Sequence, residues 1–113
     1  CHQPTGLGLP GAFPPLAGSE WVIEDPESAV RVMLLGIGGE IEVAGTTFNG
    51  VMPTQSHLDD EQIALVATKI RTSWENEADE VTTEFVAEVR ASLSDRTTPL
   101  EGGAELQALR DAE

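Results

Sequence analysis

The sequence predicts an all-α fold class, a small helical domain with long loops and one short β-hairpin, on three observations. Three segments join a helix start signal to an apolar stripe at helical spacing. The stretches between them are rich in glycine and proline, which interrupt regular structure. Only the segment around residues 41–48 alternates like a strand pair. A chain of 113 residues is expected to make one compact unit.

The elements follow in order. Residues 3–20 hold Gly6, Gly8, Gly11 and Gly18 with Pro4, Pro10, Pro14 and Pro15, which forbid a regular helix or central strand. This loop is nevertheless apolar, through Leu7, Leu9, Phe13 and Leu16, so it is expected to pack over something hydrophobic. Asp25, Pro26 and Glu27 place a cap, a proline and an acid where a helix start favours each. Val30, Met33, Leu34 and Ile37 then share one face, and Gly36, Gly38 and Gly39 stop the helix. Ile41 and Val43, the Ala44-Gly45 turn, and Thr46 to Phe48 read as the hairpin. Asp59 with Gln62 forms a capping box, Leu58 can staple onto Ile63, and Ile63, Val66, Ala67, Ile70 and Trp74 make the stripe of the next helix. A further helix starts at Thr82 with Phe85, Val86, Val89 and Leu93 inward, and residues 104–110 form a short one.

Twenty acidic residues against six basic ones give a net charge of -14. That excess argues against nucleic-acid binding, which needs clustered Lys and Arg for phosphates. It keeps the chain soluble, and an acidic face could also steer a basic partner. No apolar run is long enough to span a bilayer. The single cysteine, Cys1, cannot form an internal disulfide, which leaves a free thiol, an intermolecular bridge or the anchor of a covalent cofactor.

Cys1-His2 matches the end of a Cys-x-x-Cys-His haem-attachment motif, in which thiols add to haem vinyl groups and the histidine is held beside the iron. It is followed by the apolar Gly/Pro loop ending in Phe13-Pro14-Pro15-Leu16-Ala17-Gly18, a helix, and then Asn49-Gly50-Val51-Met52-Pro53. An amphipathic helix ending in Ile70-Arg71-Thr72-Ser73-Trp74 completes the pattern. Over roughly residues 1–76 this order resembles the class I cytochromes c, small helical domains built around haem c and its iron. The resemblance implies that Cys1 anchors the haem and His2 is the proximal iron ligand, oriented by a backbone carbonyl that matches Pro14. Leu16 would press on the haem face, and Met52 would be the distal ligand. A thioether favours ferrous iron relative to a second imidazole and so raises the potential.

Two rivals to Met52 exist. Met33 lies on a helix stripe, where methionine is usually core filler, and His57 precedes a helix cap, where a surface position is expected. Trp21 is a candidate hydrogen-bond donor to a haem propionate, while Trp74 is expected to pack in the core. Nothing resembles a catalytic triad or a carboxylate pair in an apolar pocket, so an electron carrier is expected and not an enzyme. The implied partners are redox proteins, a donor dehydrogenase or an acceptor oxidase or cytochrome, in the periplasm or another extracytoplasmic space.

The family's first helix and first motif cysteine are absent, and a fragment of a longer reading frame accounts for both. That helix normally crosses the one expected here from Asp60 to Glu75. The domain is therefore assigned to residues 1–76 and a helical extension to 77–113, joined by the polar run from Glu75 to Glu80. The extension resembles those of bacterial cytochrome domains attached to periplasmic dehydrogenases. The alternative is a haem-free acidic helical module that binds a protein through the apolar loop of residues 7–16.

Overall fold

The computed structural model describes residues 2–112, so Cys1, the expected haem anchor, lies outside the described residues. In chain order it contains α1 (Glu20–Ile23), α2 (Pro26–Leu35), β1 (Ile37–Val43), β2 (Thr46–Met52), α3 (Asp60–Thr72), α4 (Thr83–Ser92), β3 (Leu100–Glu101) and α5 (Gly102–Asp111). The strands form one sheet in the order β2-β1-β3. Helix is therefore the commoner regular element, but the sheet exceeds the short hairpin expected of an all-α domain.

The sheet grows for a local reason. Gly36 ends α2 with φ 75, and the chain turns at once into β1. Any side chain on Gly36 would lie 2.7 Å from the Met52 carbonyl oxygen and 2.8 Å from the Thr54 nitrogen. The missing side chain thus lets the end of β2 pass directly over the end of α2. The hairpin runs in register from Ile37 opposite Met52 to Val43 opposite Thr46, so Met52 closes a strand and does not sit in a free loop. Leu100 and Glu101 add a short parallel strand beside Ile37 and Gly38.

The capping signals for α3 and α4 are realised. At α3 the Asp59 side chain accepts from the Gln62 N–H at 2.8 Å, and the Gln62 side chain accepts from the Asp59 N–H at 3.0 Å. Thr82 accepts from the Phe85 N–H at the start of α4. At α2 the cap is different: Asp25 accepts from the Ser28 hydroxyl at 2.7 Å instead of a backbone N–H.

Two apolar clusters hold these elements together. Val30, Met33 and Leu34 of α2 pack with Ile63, Ala64 and Ala67 of α3 and with Val81, Val86 and Val89. Leu35 and Ile37 pack with Leu100 and Leu106. Fully burying each large aliphatic side chain is worth about 1.5–3 kcal/mol, so the segment after residue 76 is joined to the rest by a shared core. The run from Glu75 to Glu80 is not simply solvated either. Asn76 is buried, and the Arg71 guanidinium donates to the Asp79 carbonyl at 2.9 Å.

Candidate cofactor cavity

The N-terminal loop is folded by its own backbone. The Leu16 and Ala17 N–H groups both donate to the Gly6 carbonyl, Gly8 N–H donates to the His2 carbonyl, and Leu9 bridges Phe13. Two residues beyond α3 fasten it. Trp74 Nε1 donates to the Pro4 carbonyl at 2.8 Å, and its ring lies where a Gly6 side chain would be. Asn76 accepts from Gly18 N–H at 2.9 Å and donates to the Leu16 and Ile70 carbonyls at 3.1 and 2.8 Å. Trp74 is therefore a clamp on this loop, not the core residue expected at the end of a helix. The helix stops at Thr72, and Trp74 and Glu75 turn back with φ 52 and 70.

Within this loop the His2 Nδ1–H donates to the Pro14 carbonyl at 2.8 Å. A carbonyl oxygen can only accept, so this bond fixes the tautomer and leaves the Nε2 lone pair available to a metal. Gly8 protects the arrangement. It has φ 67, and a side chain there would lie 2.7 Å from the same Pro14 oxygen.

His2, Pro14, Leu16, Trp21 and Met52 all line one cavity of about 380 Å³. Side chains alternate across a strand, so Phe48, Gly50 and Met52 share one face of β2, and all three line the cavity. Gly50 leaves a notch between its two larger neighbours, because a side chain there would meet nothing within 4 Å. Val66 and Ile70 supply part of the wall from α3, and Phe13 and Pro15 from the loop. Leu7 and Leu9 face solvent instead, at 65% and 48% exposure, so the apolar loop packs inward through its second half only.

The rivals are placed as well. Met33 is buried in the core and also reaches the cavity wall. His57 is exposed and does not line the cavity. Trp21 lines the cavity, but its single N–H donates to the Glu42 carbonyl at 2.8 Å, so the ring contributes apolar surface there and not the free donor expected for a propionate.

Among the described residues, no Asp, Glu, Lys or Arg lines the cavity. Arg71 lies outside it, buried, with Nη1 donating to the Val22 carbonyl at 2.8 Å. Burial lowers its pKa, opposed by the nearby charges of Asp79 and Asp25. Sequence reading missed three contributors: Ser19, the Gly50 notch, and the Trp74 and Asn76 clamp. The alternation of Phe48, Gly50 and Met52 was a usable signal for the notch. No local pattern marks the clamp, which joins residues some 60 or more positions apart.

Comparison with known proteins adds an independent finding. The chain is 47% identical over 78 residues to cytochrome c-552 of Thermus thermophilus, covering 66% of this chain and 60% of that protein. A second cytochrome c-552 from the same species gives the same identity, with 53% of that protein covered. Over 81 residues the chain is 42% identical to the cytochrome c subunit of the quinone alcohol dehydrogenase of Gluconacetobacter polyoxogenes, covering 69% of this chain and 17% of the subunit. The chain thus spans less than two thirds of the length of each of these relatives. No protein-family model matches it.

Proposed function

Because the chain belongs to the class I c-type cytochromes, we propose that it transfers single electrons through a covalently attached haem c seated in this cavity, with His2 and Met52 as axial ligands. One observation carries the ligand assignment. His2, its tautomer set by Pro14, and Met52, the last residue of β2, line the same apolar cavity.

The lining suits that cofactor. Haem is a flat, mostly apolar ring. The apolar walls match its faces, and the Gly50 notch leaves room on the hairpin face that Phe48 and Met52 otherwise fill. One imidazole and one thioether are too few donors for a bare ion, whereas a macrocycle brings the remaining four. Among the described residues, no cluster of three or more His, Cys, Asp or Glu is placed to hold a metal by itself. Bound there, the haem supplies the one-electron couple of its iron.

The chain's own residues bind, orient and exclude water. Pro14 fixes the proximal imidazole, Leu16 presses on the haem face, and Cys1 is the covalent anchor. Met52 supplies a neutral sulfur that favours the reduced iron and raises the potential. All the cavity-lining residues fall between His2 and Ile70, which supports assigning residues 1–76 to the haem site and 77–113 to a bracing extension. No helix among the described residues is long and apolar enough to cross a membrane. Redox proteins, a donor dehydrogenase or an acceptor oxidase, are the proposed partners, in the periplasm or another extracytoplasmic space.

A pair of variants tests the ligand set. Met52→Ala should keep covalent haem yet lose the weak far-red sulfur-to-iron band and drop sharply in potential. Met33→Ala should keep both and lose about 2–5 kcal/mol of stability as a core truncation. A band and potential that survive Met52→Ala would show that another residue ligates the iron.

A further inference from the structure

We propose that the Ser19 hydroxyl donates a hydrogen bond to a carboxylate of the bound haem, an inference that rests on the haem reading above. Ser19 is 2% exposed and lines the cavity. It occupies the cap position ahead of α1, where a serine oxygen usually accepts from a backbone N–H, yet its side chain makes no such bond. Among the described residues, no hydrogen-bond partner is found for this hydroxyl. It is not sealed in the interior either, since no fully buried side-chain atom lacks a partner among those residues. On a residue that lines the cavity, a hydroxyl that is neither paired nor sealed is free to turn toward it.

The rest of the lining points to what it meets. The other polar side chains there are His2, Trp21 and Gln55, and each already has a donor engaged, by the carbonyls of Pro14, Glu42 and Pro53. No cationic side chain lines the cavity among the described residues. Haem brings two carboxylates into a site of this kind, and a buried polar group without a partner is costly on either side. The uncommitted Ser19 donor answers that need. A hydrogen bond to the ionised form favours it, so Ser19 holds the haem carboxylate as a stronger acid.

The test uses the full-length holoprotein, with the reduction potential measured against pH for the native protein, Ser19→Ala and Ser19→Thr. Ionisation of a haem carboxylate appears as a break in that curve. Losing the hydroxyl should weaken the acid about tenfold, which moves the break to higher pH by about one unit, and Ser19→Thr should restore it. A break that stays in place in Ser19→Ala overturns the proposal. A crystal structure of the native holoprotein decides the matter without any variant. Ser19 Oγ within hydrogen-bond reach of a haem carboxylate supports it, and Ser19 bonded only to water or backbone overturns it. Failure of the haem reading is distinct, because the native protein would then carry no covalent haem at all.

Discussion

At the scale of single residues, Asn76 shows how a polar side chain fixes an apolar site. Its amide satisfies one N–H and two carbonyls that belong to the loop and to α3, and the residue is 4% exposed. Removing it leaves three partly buried backbone groups without their partner, each worth up to about 1–3 kcal/mol. Asn76→Ala should therefore lower stability by about 2–4 kcal/mol. Asn76→Asp should cost at least as much, because a carboxylate cannot donate to the Leu16 and Ile70 carbonyls and sets a negative charge against them. Chemical denaturation of the two variants checks both. Stabilities within about 0.5 kcal/mol of native for either variant, the range of ordinary surface substitutions, would show that the clamp is dispensable. His2 and Met52 stand out in the sequence because local motifs mark them, and both line the cavity. Asn76 was not, since its role depends on residues far away in the chain.

At the scale of elements, helix starts and the Ala44-Gly45 hairpin turn were legible, while the full length of the hairpin and the third strand were not. Asp59 with Gln62 and Thr82 with Phe85 act within one helical turn, so sequence alone specifies them. Gly36, Gly38 and Gly39 read as a helix stop, which Gly36 is. Their second use, as the start of a strand pressed against β2 and β3, depends on pairing that no local pattern announces. The short β3 is held by a pair of charges. Arg96 meets Glu105 at 2.7 Å and also donates to the Thr98 and Pro99 carbonyls, while Glu105 accepts from Glu101 N–H at 2.8 Å. The Arg96 hydrogen bond, followed by that from Glu101, holds the Glu105 carboxyl at about 2, below its ordinary 4.5. A depressed carboxyl contributes stability above its unfolded pKa and loses it as pH falls through the folded one. Glu105→Gln should cost about 1 kcal/mol at neutral pH, a figure held down because the pair is partly solvated. The gap from native should close between about pH 4.5 and 2, as thermal melts across that range would show. A gap unchanged at pH 2 would mean that the pair contributes nothing to stability.

At the scale of the whole molecule, two apolar clusters hold together the elements that frame the cavity. The α2, α3 and α4 cluster holds Met33 and Ile63, while the hairpin and the N-terminal loop supply Met52 and His2 to the cavity wall. The chain carries a net charge of -14, yet among the described residues no Asp, Glu, Lys or Arg lines the cavity, and the buried Asp25, Arg31 and Arg71 all lie outside it. The proposed electron transfer requires a haem bound covalently in this cavity. The most direct measurement is the visible spectrum of the full-length protein, made with the haem-attachment machinery, before and after extraction with acidified organic solvent. A covalently held haem gives a low-spin spectrum whose colour stays with the polypeptide, through Cys1, after extraction. Colour that leaves with the solvent, or a protein with no haem absorption, would contradict it.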